Sequence, residues 1–140
     1  MTTAGDGAFS FALRVYYEDT DAQGVVYYAN YFRFMERART EWLRAHGVDL
    51  NQLRTEAGLI LMVIRTELKF RSPARFDDQL VVTARVLESR GARFVLEQDV
   101  YRNSLAGELL CEGICEAACI DAEDLRPRRL PKDLRSELFS

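Results

Sequence analysis

Three carboxylates stand close together near the start of the chain: Glu18, Asp19 and Asp21, in the stretch YYEDTDAQGVVYYANY, just ahead of Gly24. Carboxylates at this spacing can ligate calcium, act as a catalytic base or nucleophile, or form the solvated corner of a turn. A calcium loop of the EF-hand type needs a bidentate Glu at its last position and a helix before it. With Asp19 opening such a loop, the last position is Asn30, and the preceding segment reads as strand. The calcium reading fails on both counts. Asp21 differs from its neighbours because an apolar VVYY follows it and leads into a helix. A carboxylate between a buried strand and an apolar helix start would be partly desolvated, which raises its pKa and strengthens it as a base. From pattern alone, the turn aspartate remains the preferred reading.

Two other chemistries are excluded. Serine or cysteine hydrolysis needs a base beside the nucleophile. The only histidine, His46, falls at the far end of the predicted long helix. That is about 25 Å from the helix start, at about 1.5 Å per residue. There it is a favourable charge in the last helical turn. Cys111, Cys115 and Cys119 are spaced by four in a strand-like run. On a strand they share one face, but neighbours lie about 13 Å apart, too far to hold one metal ion. They read as small packing residues, so no metal and no cofactor are expected.

These residues must be positioned by a small set of elements. Ala12 to Tyr17 reads as a first strand and EDTDAQG as a loop. From Ala29 the period becomes helical. Tyr31, Phe34, Met35, Ala38, Trp42 and Leu43 fall on one face, and Arg33, Glu36, Arg37, Glu41 and Arg44 on the other. Asn30 is a candidate cap and Gly47 a natural stop. The apolar stripe is bulky enough to be wrapped on several sides. VDLNQLRTEAG predicts a short second helix ending at Gly58. Four alternating runs follow: Ile64 to Phe70, QLVVTARVL, ARFVLEQDVY and ELLCEGICEAACI, with turns at SPARFDD and RNSLAG. LPKDLRSELF predicts a terminal helical turn. The order of strand, helix and four antiparallel strands predicts an α+β fold, one long helix against a single sheet.

The bulk properties agree. A chain of 140 residues suits a single domain over residues 1–140, with residues 1–9 expected to be disordered. A net charge of -3 argues against a nucleic-acid binder, which needs a surplus of Lys and Arg. No secretory signal is recognisable at the N-terminus and the three cysteines are an odd number, so a cytoplasmic setting is expected. No apolar run reaches the ~18 residues of a membrane span.

RVYYEDTDAQGVVYYANYFRFMERARTEWLR, from Arg14 to Arg44, resembles the YbgC-type acyl-CoA thioesterases, relatives of 4-hydroxybenzoyl-CoA thioesterase in the hotdog superfamily. The D-x-x-G-V-V-Y-x-x-x-Y core and the ERARTE helix carry the resemblance, with FRSPARFDDQL and RPRRLP in the expected order. It covers the chain from Phe11 to about Leu134. It implies a five-stranded antiparallel sheet wrapped around one long helix, and hydrolysis of an acyl-CoA to free acid and CoA. Asp21 falls on the family's catalytic aspartate, as nucleophile or as general base for a water. The family supplies a backbone N–H at a helix start to the developing oxyanion. The matching region is near Gly58 to Leu61, with Ile60 and Leu61 as donors.

One letter departs from the YbgC pattern. Relatives usually read VVYH, and this chain has Tyr28 in place of that histidine. The hydroxybenzoyl branch also carries tyrosine there. Tyr28 is therefore expected to position substrate or water by its hydroxyl. For the phosphates of CoA the resemblance points to Arg90 and Arg93, flanking the turn in ESRGARF, and to Arg128 in RPRRLP. Arg65, Lys69 and Arg71 alternate on one strand's polar face. Tyr28, Tyr31, Met35 and Met62 either line an acyl pocket or belong to the core. The resemblance also implies a homo-oligomer, a dimer or a tetramer built as a dimer of dimers, with shared active sites. A non-catalytic acyl-CoA-binding protein on the same fold is the alternative.

Overall fold

The structure, a computed structural model, describes residues 2–3 and 9–139. Six strands form one antiparallel sheet: β1 (Thr2–Thr3), β2 (Phe9–Arg14), β3 (Leu59–Phe70), β4 (Gln79–Arg90), β5 (Arg93–Arg102) and β6 (Leu109–Asp121). Their order is β1-β2-β4-β5-β6-β3. Five of these strands are long, and β1 adds two residues against Phe9 and Ser10. The helices are α1 (Asn30–Ala45), α2 (Leu50–Ala57) and α3 (Lys132–Phe139). This is the hotdog arrangement. Of the segment expected to be disordered, Met1 and residues 4–8 lie outside the described residues, and Phe9 is already a buried strand residue.

The helical stripe is buried as its period predicts, with Phe34 and Ala38 fully enclosed. α1 approaches the sheet closely at Gly113. A Cβ there would lie 2.7 Å from the Gln98 carbonyl oxygen and 2.8 Å from Met35 Cε. Gln98, fully buried, braces the same contact. Its Nε2 donates to the Met35 carbonyl at 2.9 Å and its Oε1 accepts from Arg39 at 2.9 Å. Cys111, Cys115 and Cys119 share the inner face of β6 and are all buried. Burial pushes the Cys111 thiol up to about 12 and that of Cys119 up to about 11.

The outer face of the sheet carries paired charges: Arg71 with Glu112 at 2.6 Å, Arg85 with Glu97 at 2.7 Å and Arg65 with Glu116 at 3.1 Å. Such exposed pairs contribute at most about 1 kcal/mol each. No described helix is long and apolar enough to cross a membrane.

Two local expectations are corrected. The first strand runs over Phe9–Arg14, three residues earlier than its pattern suggests. Asp19 is the reason. Its Oδ2 accepts the Tyr16 N–H at 2.8 Å and folds Tyr17–Asp19 into a 3₁₀ turn before the strand can continue. Nor does Asn30 cap α1. The cap position is Ala29, with no side-chain hydrogen bond, and Asn30 is the first helical residue. α2 does begin on a side-chain cap, Asp49, which accepts from the N–H groups of Asn51 and Gln52.

Candidate active site

Asp21 opens a tight turn. Its N–H donates to the Val25 carbonyl at 2.9 Å, and its own carbonyl accepts from Gly24 at 3.0 Å. Gly24 has φ +82, a left-handed conformation that glycine adopts without steric cost. The turn is pinned from outside as well. Val26, buried, donates to the Ala74 carbonyl at 2.8 Å, and Val25 bridges to Arg75. One carboxylate oxygen of Asp21, Oδ1, accepts the Gln23 N–H at 2.8 Å. Oδ2 accepts nothing among the described residues. The carboxylate is thus oriented by one oxygen and open at the other.

Two bonds converge on the Asp19 carbonyl and join this turn to α1. Asn30 Nδ2 donates to it at 2.8 Å and the Tyr27 N–H at 3.0 Å. Asn30 is buried, so the tether is shielded from water. Because α1 has no side-chain cap, its start keeps unpaired donors. Among the described residues, the N–H groups of Tyr28 and Ala29 have no acceptor. A helix start with free N–H groups favours negative charge.

The surroundings are aromatic and exposed. Tyr28 is 59% exposed and packs on Tyr27 with ring centroids 4.8 Å apart. A side-chain hydrogen bond with Tyr28 holds the Tyr27 hydroxyl above its usual range. Tyr17 meets Phe76 edge-on at 5.7 Å, and both are exposed. Within one chain Asp21 is exposed, in keeping with the turn reading that the pattern favours and not with partial desolvation.

Other predicted site residues are placed differently. Ile60 and Leu61 lie within β3, paired to Ile120 and Cys119, immediately after the end of α2. They are not at a helix start, so the reason for choosing them as donors is absent. Tyr31 and Met35 are core residues. Tyr31 is buried, its hydroxyl accepting from Ala74 at 3.1 Å, and Met35 packs over Gly113. Met62 lies on β3, exposed and apart from them.

The arginines lie near one turn. Arg90 and Arg93 face each other across the β4–β5 turn and line one cleft of about 260 Å³ with Arg65 and Glu116. Arg65 is taken up by Glu116 and Glu67. The Arg128 N–H donates to the Cys119 carbonyl, and the Cys119 N–H donates to Ala92 of the same turn. The backbone therefore brings Arg128 beside the pair, although Asp121 holds its guanidinium at 2.9 Å. His46 turns its Nδ1 to the Trp42 carbonyl at 2.9 Å, a helix-end contact. No cluster of three or more potential metal ligands occurs among the described residues.

Sequence reasoning missed the Asn30 tether and the free donors at the start of α1. The uncapped run VVYYAN was a signal for the second, since it offers no Ser, Thr, Asp or Asn before Asn30.

Comparison with known proteins gives one consistent picture. A family model described as the thioesterase-like superfamily matches residues 15–138. The chain is 40% identical over 131 residues to the acyl-CoA thioesterase YbgC of Haemophilus influenzae, covering 94% of each. It is 39% identical over 129 residues to the acyl-CoA thioester hydrolase YbgC of Escherichia coli O157:H7, covering 92% of this chain and 94% of that one. Among solved structures, a probable thioesterase from Bartonella henselae is 38% identical, with TM-score 0.82, covering 89% of this chain and 99% of that one. A mutant 4-hydroxybenzoyl CoA thioesterase complexed with 4-hydroxybenzoyl CoA shares the fold, with TM-score 0.85 at 23% identity over 94% and 98% of the two chains.

Proposed function

We infer the chemistry from one premise, that the chain belongs to the thioesterase-like superfamily. It is an acyl-CoA thioesterase, releasing a free acid and CoA. Asp21 carries the reaction in this proposal, and the supporting observation is its carboxylate, oriented through Oδ1 and open at Oδ2 beside an uncapped helix start. As a general base, Oδ2 takes a proton from water while the water oxygen bonds to the thioester carbon. As a nucleophile, it bonds to that carbon itself and water then cleaves the anhydride. In either route the carbonyl oxygen becomes an oxyanion, the carbon–sulfur bond breaks, and the CoA sulfur leaves as a thiolate that is protonated. The N–H groups of Tyr28 and Ala29 are the proposed oxyanion donors, replacing Ile60 and Leu61. The Tyr28 side chain borders the site and supplies no imidazole.

Arg90, Arg93 and Arg128 form the proposed binding end for the CoA phosphates, as cations with planar donor forks. A second copy of the chain is proposed to join along β3. That strand is the last of the sheet and exposes Met62, Val63 and Ile64, each by more than 40%. An exposed apolar edge of this kind needs a cover.

The test is hydrolysis of a panel of acyl-CoAs with a thiol-trapping dye, wild type beside Asp21→Asn. The expected loss is at least about 10²–10⁴-fold. Full activity in Asp21→Asn would remove Asp21 from the mechanism. Saturable binding without turnover by the wild type would make the protein a binder.

A further inference from the structure

The segment before α1 is a short hairpin. Asp19 and Tyr27 face each other across it, Thr20 pairs with Val26, and the Asp21 N–H donates to the Val25 carbonyl at 2.9 Å. Asp21 and Tyr27 therefore stand on opposite arms of one small ladder. Tyr27 ends that ladder and is also bonded to the helix start. Its N–H donates to the Asp19 carbonyl at 3.0 Å, and its carbonyl accepts the Asn30 N–H at 2.8 Å. None of the described peptides is cis. In a planar trans peptide the C=O and the following N–H point in opposite directions. The bond from Asn30 to the Tyr27 carbonyl thus aims the Tyr28 N–H out of the helix start. Resting on the thioesterase reading, we propose that Tyr27 is a positioning residue whose ring holds this joint, keeping the Tyr28 N–H in register with the Asp21 carboxylate.

The observations point to the ring. Consecutive side chains of an extended strand face opposite ways. The rings of Tyr27 and Tyr28 nonetheless meet, with centroids 4.8 Å apart and planes tilted by 46°, because the chain bends between them into α1. The contact therefore belongs to the bend and is lost if the bend opens. The two hydroxyls are hydrogen-bonded as well. Tyr27 is 47% exposed and lies in neither core cluster, so its ring supports this joint and not the interior. The joint also has leverage. A base and an oxyanion donor must meet one thioester carbon and its oxygen together, and a misplacement of about 1 Å costs about 10²-fold in rate.

The experiment compares wild type with Tyr27→Phe, Tyr27→Leu and Tyr27→Ala on the best substrate of the acyl-CoA panel. Calorimetry measures binding of the alkyl-CoA thioether of the same chain length, which has no carbonyl to attack. In Tyr27→Ala kcat should fall at least about tenfold, part of the about 10²–10³-fold that loss of an oxyanion donor costs, with KM and thioether binding within about twofold. Tyr27→Phe should stay within about threefold of wild type, because it keeps the ring and loses only an exposed hydrogen bond. Tyr27→Leu, which lacks the ring but keeps apolar bulk, gives the reading if Tyr27→Ala does not fold. Unchanged kcat in the folded ringless variants overturns the proposal and leaves the thioesterase reading intact. Thioether binding weakened as far as kcat/KM makes Tyr27 a substrate contact or a general structural residue and also overturns it. A fall in Tyr27→Phe equal to that in Tyr27→Ala does the same, since the ring is then not the agent. A wild type that turns over no acyl-CoA removes the thioesterase reading, and this proposal with it.

Discussion

At Asp21 the division of labour between two oxygens sets what a substitution does. Asp21→Asn keeps an oxygen to accept the Gln23 N–H, so the turn should persist while turnover collapses. Asp21→Ala should lose both. Circular dichroism beside the activity assay separates the two. Asn30 is a positioning residue, because it reaches the site only through the Asp19 carbonyl. Asn30→Ala should cost about 1–2 kcal/mol of stability, the loss of a buried hydrogen bond. It should lower kcat more than it raises KM.

Asp99 gives a pH signature away from the site. Burial, then the nearby Glu97, pushes its carboxyl up to about 6, against a bond from Gly113 and the charge of Arg85. A raised carboxylate pKa means the folded state holds its proton longer than the unfolded state. The cost is therefore absent below about pH 4, grows between about 4 and 6, and is complete above. Asp99→Asn should stabilise the protein at about pH 8 by about 1–2 kcal/mol after solvent screening, with the gain gone near pH 4. Denaturant melts at both values read this directly. Asp21 was legible only through the family resemblance. Asn30 was misread because a capping rule considers local N–H groups, while the winning acceptor lies eleven residues back.

At the level of elements, α1 and β6 meet where only Gly113 fits. Gly113→Ala brings its methyl against a carbonyl that the β5–β6 ladder holds in place. About 1–3 kcal/mol of destabilisation is expected, read as a lower denaturation midpoint. The cysteines on the same strand face should be silent to a thiol reagent in the native protein and should all react once it is unfolded. The alternation of ARFVLEQDVY was readable, because a strand covered on one face writes period two into its sequence, whereas Ile64 to Phe70 alternates in residue type but is exposed along most of its length. The end of β2 was not readable, since the carboxylate of Asp19 stops it from outside the pattern. Ile60 and Leu61 fall in β3 and not at a helix start, because α2 ends at Ala57 and the chain turns directly into the sheet, which no spacing rule contains.

For the whole molecule, the proposed joint along β3 is open to a direct test. Ile64→Lys should reduce the mass seen by light scattering to that of one chain, since a charge on an edge strand blocks pairing. A wild-type protein already monomeric at micromolar concentration would refute the proposed joint. The number and antiparallel sense of the long strands could be anticipated from the order of periodic runs. The neighbourhood of β3 could not, because its partner β6 lies far along the chain: Leu59 pairs with Asp121 and Phe70 with Cys111.

That long-range pairing also governs the order of events during synthesis. A nascent chain that has reached Arg102 holds β2, β4 and β5 and has nothing against which to seat β3. Its most apolar exposed strand, Leu59 to Ile64, must wait until Leu109–Asp121 has left the ribosome. A messenger truncated anywhere before the codon of Leu109 should therefore yield a product that aggregates or is degraded, however complete its Asp21 turn.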